Sequence, residues 1–405
     1  MTFNAILNIN TENRKTIFKI LGLTLFSKEI DKAETILKIK LLLGLLYVKY
    51  DIFYRTFNFN LCGLTVLRTK LSGSWRILYF LFLPIWFENV NTKRLNYFLD
   101  SVIEKYPQYN DYYIFLSRSG EFFLLMHHLK EWLIKNNSDK FILIFTARYH
   151  LNICKMFFPD IPMAYVKKAN VPLISRGVKS IHSVYKTKNI YVPTNEKYFV
   201  QVENNIRNKN GHYYELLKQH LNLSDKTGEY IISPETKDKI KNIVKYILND
   251  KFVFISPETL SNEPMEKDFW DNLTAKLKSL GYEVFCNAME FKNLADDSTS
   301  TFLTYEESIE LAKYAKAIIG MRSGFLECLS QNNVPLIALY TDFPERPGFK
   351  RLKSDKVLSG FSIAKLPNVN KDLLFEYDVS AFTSEDEIIE SILLNIFDKK
   401  QEEVK

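Results

Sequence analysis

The turn at residues 320–324 combines residue types that can bind a phosphate group. It follows a short apolar run and places Arg322, Ser323 and Gly324 next to one another. A guanidinium can bind two phosphate oxygens at once, a serine hydroxyl and backbone N–H groups can donate to others, and glycine lets the backbone approach closely. Glu327, one helical turn further on, could accept hydrogen bonds from sugar hydroxyls. The alternative is structural: Ser323 only caps a helix, Arg322 forms a surface ion pair and Glu327 is solvated.

A second polar loop, residues 256–264, also follows an apolar run. It offers Ser256 and Glu258, and Lys267 opens the helix predicted after it. Hydroxyl and ammonium groups at such a place could meet a diphosphate or a sugar. An ordinary polar loop would account for the same residues.

A third loop, residues 117–121, carries Arg118 and Glu121. Glu121 stands in the first turn of a predicted helix, and its carboxylate could remove a proton from an attacking hydroxyl, with Arg118 nearby on the acceptor or phosphate side. Acidic residues are also common in first helical turns because they complement the helix dipole, which is the alternative. We predict catalytic roles for Glu121 and Arg118, and ligand binding for the other two loops.

The elements that carry these loops alternate along the chain from residue 112 onward. Strands are predicted at residues 112–117, 141–145, 189–193, 252–256, 282–286, 317–320 and 335–340. Helices are predicted at residues 120–135, 150–158, 213–221, 237–248, 267–280, 305–314, 324–331 and 384–397. Short apolar strands separated by helices indicate parallel sheets with helices on both faces. The predicted fold class is therefore α/β, with two Rossmann-like domains facing a cleft, at residues 106–235 and 236–405.

Residues 1–105 form a basic, apolar-rich N-terminal extension. The first 100 residues hold 14 Lys or Arg and 7 Asp or Glu, and this surplus equals the net charge of +7 of the whole chain. Such a segment could rest on an anionic membrane surface, or it could be a helical arm whose apolar side covers a domain. Its basic residues are dispersed, which argues against a nucleic-acid partner.

The same extension contains three short apolar segments, each centred on one glycine: Gly22, Gly44 and Gly63. They indicate either small strands of one accessory sheet or a coincidence in an apolar region.

Other features of the sequence bear on the compartment. The four cysteines form no CxxC pair, which fits a reducing environment. No signal peptide opens the chain, and the longest apolar run, residues 77–87, is about half of the roughly 20 residues that a spanning helix needs. We expect a cytoplasmic protein, peripheral on the inner face of the plasma membrane if its extension binds lipid.

The order of the three loops resembles the heptosyltransferase type of GT-B glycosyltransferases, over residues 112–342. In that family the first strand ends in a Gly-Asp turn whose carboxylate is the proposed base, and Gly120 and Glu121 stand in that place. A family Ser-Gly-x-x-His stretch, followed by a helix and a Pro-led strand, is matched from Ser323, with Glu327 in place of the histidine. Lys267 falls near a family lysine that faces the donor phosphate. The chain departs from the family pattern at two positions, Glu327 in place of the histidine and Arg322 in place of the usual acidic residue. These departures bear on the identity of the donor sugar.

The resemblance implies a glycosyltransferase that moves a sugar from a nucleotide-sugar donor to a bacterial cell-surface glycan or glycolipid, as in lipopolysaccharide or capsule synthesis. Inversion at the anomeric carbon is expected, and no cofactor or metal, since Arg322, a helix N-terminus and Lys267 could meet the leaving-group charge. Two other functions fit the same fold: a GT-B type nucleotide-sugar epimerase, and a non-catalytic, membrane-associated partner in polysaccharide assembly.

Overall fold

The structure is a computed structural model in which the chain divides into two compact units, Met1–Lys105 and Tyr106–Lys405. It describes residues 7–12, 15–20, 23–30, 36–41, 46–51, 56–61, 64–72, 75–80, 83–166, 174, 178, 180–208, 211–245, 251–288, 299–300, 302–345 and 351–397.

The first unit is a nine-stranded antiparallel sheet followed by one helix. Its strands are β1 (Leu7–Glu12), β2 (Lys15–Ile20), β3 (Leu23–Ile30), β4 (Ile36–Leu41), β5 (Leu46–Asp51), β6 (Thr56–Leu61), β7 (Leu64–Ser72), β8 (Trp75–Phe80) and β9 (Leu83–Asn89), and its helix is α1 (Val90–Lys105). The strands lie in sequence order from β1 to β9, and each pairs antiparallel with the next.

This sheet excludes one of the two interpretations of the extension, and contact with a membrane surface stays a prediction. A helical arm is wrong for the described residues between 7 and 89, because apolar residues in several segments recur at every second position, as in residues 36–41, which is the period of a strand. Gly22, Gly44 and Gly63 themselves lie outside the described residues. The described residues on either side of each glycine belong to paired strands, β2 and β3, β4 and β5, and β6 and β7, so of the two alternatives the structure has the small strands of one sheet.

The second unit begins with a five-stranded sheet. Its strands are β10 (Asp111–Phe115), β11 (Phe141–Phe145), β12 (Met163–Tyr165), β13 (His182–Tyr185) and β14 (Lys188–Tyr191). Its helices are α2 (Ser119–Lys135), α3 (Arg148–Phe157), α4 (Glu196–Arg207), α5 (Tyr213–Leu221) and α6 (Pro234–Ile243). The order is β12-β11-β10-β14-β13, and all pairs are parallel except β13 with β14.

A six-stranded parallel sheet completes this unit. Its strands are β15 (Phe252–Ser256), β16 (Glu283–Cys286), β17 (Thr299–Ser300), β18 (Ala317–Met321), β19 (Leu336–Tyr340) and β20 (Leu374–Asp378). Its helices are α7 (Lys267–Ser279), α8 (Tyr305–Ala312), α9 (Gly324–Leu329), α10 (Ser354–Phe361) and α11 (Glu385–Phe397), with short 3₁₀ turns at Ile363–Lys365, Lys371–Leu373 and Val379–Ala381. The order β17-β16-β15-β18-β19-β20 is the Rossmann order 3-2-1-4-5-6. The predicted fold class, α/β with two Rossmann-like domains, is confirmed by these two strand orders.

Burial explains why the central strands could be predicted. Every residue of β10, β15, β18 and β19 is buried, and such strands read as short, continuous apolar runs. The C-terminal helix α11 agrees with the helix predicted at residues 384–397, and its Ile388, Ile389 and Ile392 are buried in the core beside β15 and β18. The last residues of the helix predicted at 237–248 fall outside the described residues.

Helices of the described segments are too short or too polar to cross a lipid bilayer.

Candidate functional site

Each of the two Rossmann-like sheets has a central point where successive strands are added on opposite sides. In the six-stranded sheet this point lies between β15 and β18, whose last paired residues are Ser256 and Gly320. In the five-stranded sheet it lies between β10 and β14. Ligands of doubly wound sheets bind outside the carboxyl ends of the strands at such switch points. The three loops chosen from the sequence all start there.

The two domains touch where α2 and α9 begin. A methyl group added at Gly324 would lie 2.4 Å from the backbone nitrogen of Gly120 and 2.8 Å from Ser119 Oγ. One added at Gly120 would lie 1.8 Å from Glu327 Oε2. Glycine is therefore required at both positions for this close approach. The loops at residues 117–121 and 320–324, predicted to face each other, are in direct contact.

Glu121 lies in the first turn of α2, at this contact. Its Oε2 is buried and has no hydrogen-bond partner among the described residues. Burial raises the pKa of Glu121 to about 7; the nearby Arg118 charge opposes the rise, and the Glu327 charge adds to it. A carboxyl group with this pKa can change its protonation state near neutral pH, as a general base must.

Arg118 precedes α2 and links the two domains. Its Nη1 donates to Ser261 Oγ over 2.6 Å, and Ser261 belongs to the loop that follows β15. The structure thus brings the predicted loop at residues 117–121 to the loops that follow β15 and β18.

Arg322 and Glu327 form a buried ion pair, only 6% and 2% exposed. Arg322 Nη2 donates to Glu327 Oε1, while Arg322 Nε is buried without a partner among the described residues. The guanidinium carbon lies 4.5 Å from the ring centre of Phe361 and 5.5 Å from that of Tyr213. The alternative of a surface ion pair and a solvated Glu327 is therefore wrong, because the two residues bind each other inside the protein.

The pair also sets a condition for the predicted phosphate contact. Burial raises the pKa of Glu327, and the Arg322 charge opposes that rise. A donor phosphate would have to replace this carboxylate as the partner of Arg322.

Ser323 caps α9, since its side chain accepts a hydrogen bond from Leu326 N over 3.2 Å. The capping interpretation of Ser323 therefore holds, and it is compatible with a ligand at neighbouring N–H groups. Phosphate binding by Ser323 and Gly324 stays a prediction.

Ser256 and Glu258 lie at the carboxyl end of β15. Ser256 is buried. Burial raises the pKa of the Cys286 thiol to about 12, and the charge of Glu258 adds to that rise. Both residues stand at the switch point, where their ligand-binding roles stay predictions.

Lys267 lies at the start of a helix, as predicted. It opens α7, is 51% exposed, and its ammonium binds Asp271 one turn further along the same helix. Its described contact is thus within α7, and a role at the donor phosphate stays a prediction.

Sequence reasoning missed several buried polar groups at the same edge. The side-chain oxygens of Ser117, Thr194 and Tyr198 are buried and have no hydrogen-bond partner among the described residues. Burial raises the pKa of Tyr198 well above the usual range, and the Glu121 charge adds to that rise. A signal was available for Tyr198, because Asn195 caps the helix that carries it and follows a short apolar run.

Two histidines and a surface groove near the five-stranded sheet are not part of the site. His127 and His128 are buried in the core: His127 Nδ1 lies 2.5 Å from Gly228 O, and His128 Nε2 lies 2.7 Å from Tyr214 Oη. A surface groove of about 570 Å³, lined by residues of the segment 130–139 with Phe158 and Ile161, lies before β11, at the amino edge of the sheet.

In the described part of the chain, no three His, Cys, Asp or Glu side chains are grouped so that they could hold a metal ion.

No protein-family model matches the sequence, and comparison with curated protein sequences gives no match. Among solved structures, a glycosyl transferase family 9 protein of Veillonella parvula is similar, with 10% identity, 72% of this chain and 98% of that one covered, and a TM-score of 0.44. The ADP-heptose LPS heptosyltransferase II of E. coli is similar with 12% identity, 72% and 99% covered, and a TM-score of 0.42. A Listeria monocytogenes protein assigned as a UDP-N-acetylglucosamine 2-epimerase has 9% identity, 72% and 89% covered, and a TM-score of 0.40. What this chain does has to be inferred from the residues of its own site.

Proposed function

We propose that the protein is a glycosyltransferase that moves a sugar from a nucleotide-sugar donor to a hydroxyl group of a bacterial cell-surface glycan or glycolipid. The proposal rests on the environment of Glu121. Its Oε2 is buried without a hydrogen-bond partner among the described residues, and burial raises its pKa to about 7. It lies where the switch points of the two Rossmann-like sheets meet. A base is most effective when its pKa lies near the working pH.

The reaction assigned to this site is a single displacement. The acceptor oxygen forms a bond to the anomeric carbon, and its proton passes to Glu121. The bond from the anomeric carbon to the donor phosphate breaks, and the nucleotide leaves with the electron pair. Because one displacement inverts the anomeric centre, we expect an inverting enzyme.

The donor is assigned to the crevice of the second sheet. Its diphosphate would lie beside Arg322, Ser323 and Gly324, with Ser256 and Glu258 at the end of the neighbouring strand and Lys267 at the start of the next helix. Arg322 would exchange Glu327 for a phosphate oxygen, so that one anionic partner replaces another and the guanidinium remains paired. Glu327 would then be free to accept from a sugar hydroxyl. This arrangement would meet the leaving-group charge without a metal ion.

Donor binding can be tested without knowing the acceptor. ADP, UDP, GDP and CDP are each added to the full chain, and the melting temperature is measured, since a ligand bound by the native state alone raises it. Release of the nucleotide from the corresponding nucleotide sugars is then followed with and without simple glycoside acceptors. The proposal fails if no nucleotide stabilises the protein and no nucleotide sugar is turned over. Conversion of the sugar in the absence of any acceptor would instead favour an epimerase.

The base is tested with Glu121→Gln, which keeps the shape of the side chain but cannot take a proton. We expect transfer to fall by about 10²- to 10⁴-fold. Glu131→Gln is the matched control, because Glu131 lies on the same helix and binds Lys135 and Ser224 instead. Equal activity of the two variants would remove Glu121 from the mechanism.

For the N-terminal unit we propose contact with an anionic membrane surface, supported by the basic surplus of the first 100 residues. The full chain is mixed with vesicles of phosphatidylglycerol or of phosphatidylcholine and sedimented. We expect binding only to the anionic vesicles, weakened by added salt. Equal sedimentation with both lipids would contradict an electrostatic contact.

A further inference from the structure

The Tyr198 side chain is buried without using its hydroxyl group. Tyr198 is 1% exposed, and its oxygen has no hydrogen-bond partner among the described residues. Its backbone N–H donates to Asn195 Oδ1 over 3.1 Å, so the cap of α4 fixes where the side chain starts. Buried tyrosine hydroxyl groups usually find a partner, because leaving one unpaired costs stability. An unpartnered phenol at this edge of the sheet therefore indicates a missing partner.

Tyr198 and Glu121 are neighbours in the fold. β10 and β14 are adjacent parallel strands, with Tyr113 opposite Tyr191, and the helices carrying Glu121 and Tyr198 both begin beyond the carboxyl ends of these strands. The Glu121 charge, added to burial, raises the pKa of Tyr198, as expected for groups close in space. The two nevertheless do not bind each other, since neither the phenol oxygen nor Glu121 Oε2 has a hydrogen-bond partner among the described residues.

The chemistry of the two groups restricts what fits between them. A phenol donates a hydrogen bond, and an ionised carboxylate only accepts. The bridging group must therefore accept from Tyr198 and donate to Glu121, as a hydroxyl group does. A cation lacks the acceptor, and a fully ionised anion lacks the donor.

We propose that Tyr198 is a further catalytic residue, which binds the attacking hydroxyl of the acceptor and holds it against Glu121. This inference rests on the proposed glycosyltransferase function. With Tyr198 donating to the acceptor oxygen, the proton of that hydroxyl points to Glu121 and a lone pair remains for the anomeric carbon. The new bond, the broken bond and the proton transfer are those of the displacement already described.

The hydroxyl groups near Tyr198 and Glu121 indicate which class of acceptor binds here. Ser117 follows β10 and Thr194 follows β14, and the side-chain oxygens of both are buried without partners in the described structure. Hydroxyl groups bind other hydroxyl groups well, since each can donate and accept. Together with Tyr198 and Glu121 they fit a ring with several neighbouring hydroxyls, so the acceptor end bound here is a carbohydrate rather than a lipid or a peptide.

The test compares Tyr198→Phe with Tyr112→Phe in the full chain. Tyr112 lies near the opposite end of β10, and its hydroxyl donates to Tyr106 O over 2.6 Å. The assays are transfer to a glycoside acceptor and slow hydrolysis of the nucleotide sugar, in which water takes the place of the acceptor hydroxyl. We expect Tyr198→Phe to lower kcat by about 10- to 100-fold in both assays, with an unchanged KM for the donor and no loss of melting temperature. Tyr112→Phe should show the reverse, a lower melting temperature with unchanged turnover.

Three outcomes would overturn the proposal. Turnover of Tyr198→Phe within about twofold of the natural protein would show that the hydroxyl does not touch the reacting group. A large loss of melting temperature in this variant would assign Tyr198 a structural role. Absence of all turnover and nucleotide binding in the natural protein would refute the function on which the inference rests. If Glu121→Gln abolishes turnover while Tyr198→Phe does not, the proposed function stands and only the role of Tyr198 fails.

Discussion

Glu121→Gln should make the protein more stable at alkaline pH, in addition to its effect on catalysis. Burial raises the pKa of Glu121 from 4.5 to about 7 in the folded protein. Between these two values the folded state keeps a proton that the unfolded state has lost. Stability therefore falls as the pH rises through this window, and the loss is complete above about pH 7. The ionised base that transfer requires is thus held at a cost to folding.

The size of the effect follows from the two pKa values. A rise from 4.5 to about 7 corresponds to about 3 kcal/mol of folding free energy at pH 8. Glutamine carries no charge at any pH. The variant should therefore be more stable than the natural protein by this free energy at pH 8, and by none of it at pH 4.5. For a domain of this size the gain amounts to roughly 5 °C in melting temperature.

The assay is a pair of calorimetric scans of both proteins, at pH 5 and at pH 8. Glu131→Gln is again the control, with the opposite sign: burial would raise the pKa of Glu131, but Lys135 and Ser224 hold it below its usual value, so losing this carboxylate should lower the melting temperature at pH 8. A difference between Glu121→Gln and the natural protein that does not change with pH would refute the reasoning, because it would mean that Glu121 ionises as a solvated carboxylate does.

Four further predictions concern the contact between the domains and the donor crevice. Glu327→Gln leaves the buried Arg322 charge uncompensated and should lower the free energy of unfolding in urea by about 3 kcal/mol. Gly324→Ala puts a methyl group 2.4 Å from Gly120 N, so the contact must open, and we expect faster limited proteolysis and slower transfer. Lys267→Ala should change stability by less than about 0.5 kcal/mol in urea unfolding, and the KM for the donor should rise several-fold. Transfer should be unchanged by EDTA and by added Mg²⁺, as measured by turnover.

Much of the fold of the second unit could be predicted, for a specific reason. Parallel strands covered on both faces are continuous apolar runs, as in residues 252–256 and 335–340, and helical segments separate these runs along the chain. β13 was missed because its residues alternate between exposed and half-buried and include His182 and Ser183. α4 could have been found, since Asn195 is a helix cap and Tyr198 and Val202 recur at helical spacing.

The site could be predicted only in part. That the loops at residues 117–121 and 320–324 lie at the ends of central strands follows from the alternation of elements along the chain. The pairing of Arg322 with Glu327, and the position of Glu327 against Gly120, could not be read from it. The position of Glu327 against Gly120 depends on how closely α2 and α9 approach, and that distance is set by the packing of residues about 200 positions apart in sequence. The pairing of Arg322 with Glu327 takes place in an interior to which Tyr213 and Phe361 contribute, and both are distant in sequence from one or both members of the pair.

The N-terminal sheet has a property that the two Rossmann-like sheets lack. Among the described residues, each of its nine strands pairs only with the strands next to it in the chain, so a hairpin can be removed or duplicated without breaking any other pairing. Without β3 and β4, for example, β2 would meet β5 in the same antiparallel sense. In the parallel sheets the central strands β10, β15 and β18 each pair with a strand that is not adjacent in the chain, and a comparable deletion would leave an unpaired edge. The length of this extension can therefore vary in steps of one hairpin, as in a modular repeat.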